Sequence, residues 1–189
     1  TAALRSAMEA RGIQVLGATR TGPTPEGAKL VHRYLSMPLG AMIAFLNRYS
    51  DNYFAEHLWK AAAREAVGQG SYETGGTASA LHFIDRAGIT PGELYQFDGS
   101  GLSNLTRISA LTLVRALVYA HRQPYSQLFH ESLAVAGDPG GTMSRLFRGT
   151  TAEGNLHAKT GYIRGVRTLS GYVRARNGEL IAFSFMYNG

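Results

Sequence analysis

Cysteine is absent from this 189-residue chain, and that one absence excludes disulfides, thiolate metal sites and cysteine nucleophiles together. Charge is also sparse, at 17% of residues. Acids are the scarcer sign, 13 Asp+Glu against 19 Lys+Arg, which leaves a formal charge of +6. No apolar run is long enough to span a bilayer as a helix. Thr1–Gly12 lacks the pattern of a secretory leader and reads as the interior of a longer protein. Six histidines are present, but none falls at metal-ligand spacing, so neither a metal nor a cofactor is expected.

A hydrophobic fraction of 44% argues for a packed core and against disorder. The positive charge is arginine, 16 residues against 3 lysines. These arginines stand singly, as at Arg5, Arg11, Arg20 and Arg33, with no basic block. Specific nucleic-acid binding is therefore disfavoured, while weak attraction to an anionic surface such as a cell wall stays open.

Periodicity divides the chain into a helical part and a stranded end. Helices are predicted over Thr1–Arg11, Leu39–Asn47, Tyr53–Val67, Ala78–Ala87 and Ser109–His121. Ile13–Leu16 and Leu30–Leu35 read as strand-like, and Gly68–Gly76 as a glycine-rich connector. Asp98–Ser103 is a turn cluster. Leu156–Tyr162, Leu169–Arg176 and Leu180–Tyr187 read as strands of an antiparallel meander, with Asn177-Gly178 as a type I′ turn between the last two. The fold class is α+β.

Two tripeptides could carry chemistry. Ser50-Asp51-Asn52 lies between two helices, where a hydroxyl can relay a proton and the Asn52 amide can both donate to and accept from a peptide bond. Lys159-Thr160-Gly161 lies on the first strand of the meander, a fixed cation beside a small hydroxyl, suited to a terminal carboxylate. Gly161 leaves room for a substrate backbone along the strand. Each has a plainer reading, the first as a helix cap and the second as an ordinary edge-strand lysine. Together they are two elements of the serine β-lactamase and penicillin-binding signature.

The surrounding sequence extends this match. Asn47–Glu56 with Ser50-Asp51-Asn52 inside it, Asp98-Gly99-Ser100-Gly101-Leu102-Ser103, Gly141-Thr142-Met143, and His157–Gly161 followed by Leu169–Val173 occur in order over nearly the whole chain. In these the chain resembles the catalytic domain of the class C, low-molecular-mass penicillin-binding proteins, the D-alanyl-D-alanine carboxypeptidase/endopeptidases. The resemblance implies a transpeptidase-like sheet flanked by helices, incomplete at both ends, with residues 1–189 as the C-terminal portion of one catalytic domain. It implies Ser50, Asn52 and Lys159 as catalytic residues. It places Thr160, Gly161, Tyr162 and Asp98 in substrate binding, with the Tyr162 N–H as half of an oxyanion hole. The implied partner is a peptidoglycan stem peptide ending in D-Ala-D-Ala, or a β-lactam, met outside the cytoplasmic membrane.

Two departures qualify the match. The family places a small hydroxylic residue where Tyr162 stands. None of the 13 serines has a lysine three residues on, so the Ser-x-x-Lys nucleophile is not in this chain. The resemblance places that element upstream, and the chain alone is expected to be inactive. A non-catalytic module binding stem peptides or a partner protein on the same fold is the alternative. Leu180–Met186 is expected to present an unpaired apolar edge that pairs with upstream chain or with another molecule.

Overall fold

The computed structural model describes residues 2–189, in two compact units, Thr1–Ser36 and Met37–Gly189. In the first, helix α1 (Ala2–Glu9) carries an Arg5–Glu9 pair at 2.9 Å one turn apart. Arg5 also donates to the carbonyls of Val15 and Gly17, at 2.8 and 2.7 Å, folding the following segment back on the helix. The strand-like segments Ile13–Leu16 and Leu30–Leu35 do not form strands. They find no ladder partner among the described residues, and Val31 is 96% exposed. A β-prone composition is half a strand; the other half is a neighbour.

The second unit begins with a helical run whose boundaries follow local chemistry. Helix α2 (Leu39–Tyr49) follows Pro38 and ends on Ser50 in the left-handed region, φ 58°. One residue later Asp51 caps α3 (Asn52–Val67), accepting the Phe54 N–H at 2.8 Å. Helix α4 (Tyr72–Ala87) starts earlier than expected, so the connector is shorter than Gly68–Gly76. Ser71 and Thr74 form a reciprocal capping box, and two glycines of the supposed loop lie inside the helix. The reason is tertiary. A Cβ at Gly75 would sit 2.6 Å from the Trp59 ring, so glycine is there to let α4 approach α3.

A short ribbon of β1 (Leu94–Tyr95) and β2 (Arg107–Ile108) frames the Asp98 loop. Ser109 caps α5 (Ala110–His121) through the Thr112 N–H, 3.0 Å. Helix α6 (Ser126–Ser132) went unforeseen because seven residues are too few to show a period.

The four-stranded antiparallel sheet has the order β3 (Ala134–Val135), β4 (Leu156–Ile163), β5 (Val166–Arg174), β6 (Leu180–Asn188). The α+β class and the meander stand, but the turn between β5 and β6 is not type I′. Only Gly178 has positive φ, 87°. Its N–H bonds Ala175 O at 2.9 Å, and Ala175 N–H bonds Glu179 O at 2.8 Å. That is a type I turn followed by a left-handed glycine bulge, the three-residue solution to the same problem.

The core lies on both faces of the sheet. Ala134, Ala136, Met143, Leu156 and Ala158 pack on one face. Leu117, Leu133 and Tyr172 pack on the helix side, where the Tyr172 hydroxyl donates to Leu117 O at 2.7 Å. Burial holds that phenol's pKa up at about 12, so it stays a donor. β6 has one ladder, to β5, and its other edge carries no strand among the described residues.

Candidate active site

The two tripeptides meet. Lys159 Nζ donates to Ser50 Oγ at 2.8 Å across 109 residues of sequence, and to Thr160 O at 2.7 Å. Three local devices aim Ser50. α2 ends there in a left-handed turn, the Asp51 cap restarts the chain as α3, and Thr142 N–H bonds Arg48 O at 2.9 Å. The neighbouring Gly141 explains itself, since a Cβ would stand 3.0 Å from that same carbonyl. The Gly141-Thr142 motif thus braces the end of α2.

Lys159 is partly buried, and burial pushes its pKa down from the usual lysine value. No carboxylate among the described residues pairs with it. A half-buried cation with only neutral acceptors is a place where an anion gains from binding.

The backbone completes the arrangement. β3 pairs with β4 only at Ala158 and His157, and the Leu156 carbonyl, which accepts the Ala136 N–H at 2.9 Å, marks which residues face that side. By alternation Thr160 and Tyr162 turn their N–H and C=O groups to the same side, beyond the end of β3. β4 therefore offers a bare edge from Lys159 onward, beside Ser50. Gly161 is fitted to the opposite neighbour: a Cβ there would collide with Thr168 Oγ1 on β5. Asn52 opens α3 with an exposed side chain that makes no hydrogen bond among the described residues. Tyr162 is exposed, its ring under the Arg167 guanidinium.

Asp98 is 6% exposed, and its own loop engages its carboxylate. It accepts from Ser103 N–H at 2.9 Å and from the hydroxyls of Ser100 and Thr106 at 3.1 Å each. The loop is tied to the Ser50 region through Glu56 on α3, which accepts the Gly99 and Ser100 N–H groups at 3.3 and 3.0 Å. Sequence reasoning quoted Glu56 but missed this role; a carboxylate four residues after Asn52, one helical turn on, was the available signal. It also missed the ring stack of His157 on His130, centroids 4.3 Å apart, which stands two residues from Lys159 on the same strand face. Burial pushes the pKa of both histidines down, and His157 Nδ1 is buried with no hydrogen-bond partner among the described residues.

Two surface concavities of about 390 and 530 Å³ are lined by other residues, around Asn155 and Arg174 and around Arg86 and Tyr119. The Ser50–Lys159 arrangement is an open strand edge instead. Among the described residues no cluster could hold a metal ion, and no helix is long and apolar enough to cross a membrane.

Residues 1–189 match the family described as D-Ala-D-Ala carboxypeptidase 3 (S13). A D-alanyl-D-alanine carboxypeptidase of Actinomadura sp. (strain R39) is 38% identical over 97% of this chain and 35% of its own length. The D-alanyl-D-alanine carboxypeptidase DacB of Haemophilus influenzae is 28% identical over 94% of this chain and 37% of its own. The crystal structure of penicillin binding protein 4 (dacB) from Haemophilus influenzae, complexed with a β-lactam, superposes with a TM-score of 0.88 at 28% identity, covering 100% of this chain and 44% of that one. The chain thus spans less than half the length of these relatives.

Proposed function

The chain belongs to the D-Ala-D-Ala carboxypeptidase 3 (S13) family, the class C low-molecular-mass penicillin-binding proteins, and from that premise we propose that it forms the substrate-gripping half of a serine-type D-Ala-D-Ala carboxypeptidase or endopeptidase site. Its ligand is the D-Ala-D-Ala end of a peptidoglycan stem peptide, met outside the cytoplasmic membrane, or a β-lactam in its place. One observation carries the reading: the 2.8 Å contact between Lys159 and Ser50 at the bare edge of β4.

The chemistry follows from these groups. A substrate backbone lies along the β4 edge as an added strand, using the outward N–H and C=O of Thr160 and Tyr162. The Lys159 ammonium and Thr160 hydroxyl hold the terminal carboxylate. Gly161 keeps the edge flush. The Tyr162 N–H stands where an oxyanion develops, and the Asn52 amide holds the peptide bond. Ser50, hydrogen-bonded to Lys159, passes a proton between the attacking hydroxyl and the leaving amine. Asp98 shapes the wall beside the edge rather than touching the reacting atoms. The attacking serine belongs to a Ser-x-x-Lys element outside this chain, so the 189 residues bind without acylating.

Intact-mass analysis after incubation with benzylpenicillin tests this. No covalent adduct is expected on the chain, while an N-acyl-D-Ala-D-Ala peptide should shift amide resonances at Ser50, Asn52 and Thr160–Tyr162. A stable penicillin adduct, or peptide-induced shifts that avoid all of these residues, overturns the reading.

A further inference from the structure

The hairpin of β4 and β5 is unusual in its charge. From Leu156 to Arg174 it holds Lys159, Arg164, Arg167 and Arg174 and no acid. Arg174 is tied by its guanidinium to Gly178 O at 2.8 Å, beyond the end of β5. Arg167 sits opposite Tyr162 in the ladder. Its guanidinium carbon stands 4.2 Å from the centre of the Tyr162 ring, and that ring is 67% exposed. Among the described residues Arg167 makes no hydrogen bond and no ion pair, so every N–H of the fork is available.

Three facts place this fork at the edge just described. Alternation puts the Tyr162 side chain on the face that carries Thr160, and its ladder partner Arg167 shares that face. The Thr160 hydroxyl likewise makes no hydrogen bond among the described residues. By the same alternation Lys159 projects from the other face, with His157, and its ammonium reaches round to the edge at the Thr160 carbonyl. Stacking on a phenol ring restricts a guanidinium to one plane while leaving its donors free, which lowers the ordering cost of a planar, two-point contact. A carboxylate is the planar acceptor that matches such a fork.

We propose that Arg167, held over Tyr162, is a specificity-determining residue: it takes the terminal carboxylate of the ligand as a bidentate partner beside Thr160 and Lys159. Where a short hydroxylic side chain would give one hydrogen bond, Tyr162 supplies a platform and its neighbour on β5 supplies the contact. The inference rests on the proposed reading of the β4 edge as the seat of a D-Ala-D-Ala end. It adds that selection for a free carboxyl terminus depends on a residue outside the signature tripeptides.

The test compares N-acetyl-D-Ala-D-Ala with its C-terminal amide, titrated into the 189-residue chain and read by amide chemical shifts. The wild type should favour the acid by roughly 100-fold, the scale of a charge-assisted pair. R167A should cut that ratio about tenfold with amide affinity unchanged, and R167K should recover only part because it keeps the charge and loses the fork. R164A should change nothing, since Arg164 has no such platform. Dispersed spectra of each variant report its fold. The proposal is overturned if R167A weakens acid and amide equally, or if the ratio survives in R167A while K159A abolishes it. If the wild type shows no preference for the acid and K159A is silent, the reading of the site itself fails and Arg167 falls with it.

Discussion

Among the described residues two edges of one sheet are open, and they are built differently. Beyond Ala158 the β4 edge carries a lysine, a threonine and a glycine, and the Ser50 turn stands 2.8 Å from it. The β6 edge carries Ile181, Phe185 and Tyr187 as exposed side chains, with Phe185 at 67%. Both offer unpaired backbone groups. The first adds a cation, a hydroxyl and a wall at ligand distance; the second adds only apolar surface on a long strand. An edge of the first kind suits a short peptide with a charged end, and an edge of the second kind suits another strand. The difference lies in the side chains and in what stands beside the edge.

Removing the cation should break the contrast most sharply. K159M is expected to lower affinity for N-acetyl-D-Ala-D-Ala by roughly 100-fold, since a charge-assisted contact is lost and its acceptor partners stay. Stability should move far less. Lys159 is cationic and half-buried without an acid, and burial already pushes its pKa down. Replacing it with an apolar side chain of similar length should leave unfolding free energy within about 1 kcal/mol of wild type. Calorimetric titration beside a urea unfolding curve checks both halves. A large stability loss would make Lys159 a structural residue.

The apolar edge should respond to charge and be indifferent to ligand. I181K combined with F185K is expected to weaken concentration-dependent association by at least about tenfold, because charged side chains are the usual guard on such edges. Light scattering over a concentration series measures it. Peptide affinity at β4 should stay unchanged. If wild type remains a monomer at the highest concentration reached, the contrast between the two edges loses one side.

Gly161 sharpens the comparison from within the β4 edge. A Cβ there meets Thr168 Oγ1, so G161A should cost about 1–3 kcal/mol of stability by overpacking alone. T168A should recover most of that loss. Peptide affinity in the G161A, T168A double variant then reports whether the ligand also needs the space. Unfolding curves for the cycle separate the two demands on one glycine.

Much of this was legible in the residues, for identifiable reasons. α5 and the cap of α3 are set by local rules, a period and an aspartate, and both appeared where expected. Lys159 could be placed on a strand and Ser50 between helices, and the meeting of the two came from the resemblance, not from any local pattern. What failed was set by neighbours at a distance. Gly75 and Gly76 read as a loop because their purpose is the Trp59 ring and the Gln96 carbonyl. Leu30–Leu35 is strand-like in composition and has no ladder among the described residues. Asn177-Gly178 forms a hairpin through a different turn, since three loop residues and one left-handed glycine give the twist that two would. Arg167 carries no motif; only the ladder register brings it over Tyr162.

The smallest expected effect separates the helix face of β4 from its edge. His157 stacks on His130 at 4.3 Å, the His130 ring packs near Tyr172, and Tyr172 is the ladder partner of His157. Burial is the main cause holding both pKa values below 6.5. Around His130 the charges of its stack partner His157, Arg174 and His121 add to this and Glu131 opposes it; around His157 the His130 backbone and Glu131 oppose it and Arg48 adds to it. A histidine whose folded pKa is depressed binds fewer protons folded than unfolded as pH falls through 6.5. Stability should therefore be full above about pH 7 and decline toward pH 5. H130F should flatten that slope by removing one of the two groups and the like-charge contact between them. The thermal midpoint measured from pH 5 to pH 8 decides it. A slope unchanged in H130F would place the acid sensitivity elsewhere. If the slope flattens while ligand affinity at pH 7 is unaltered, the buried face of β4 sets stability and its open edge sets binding.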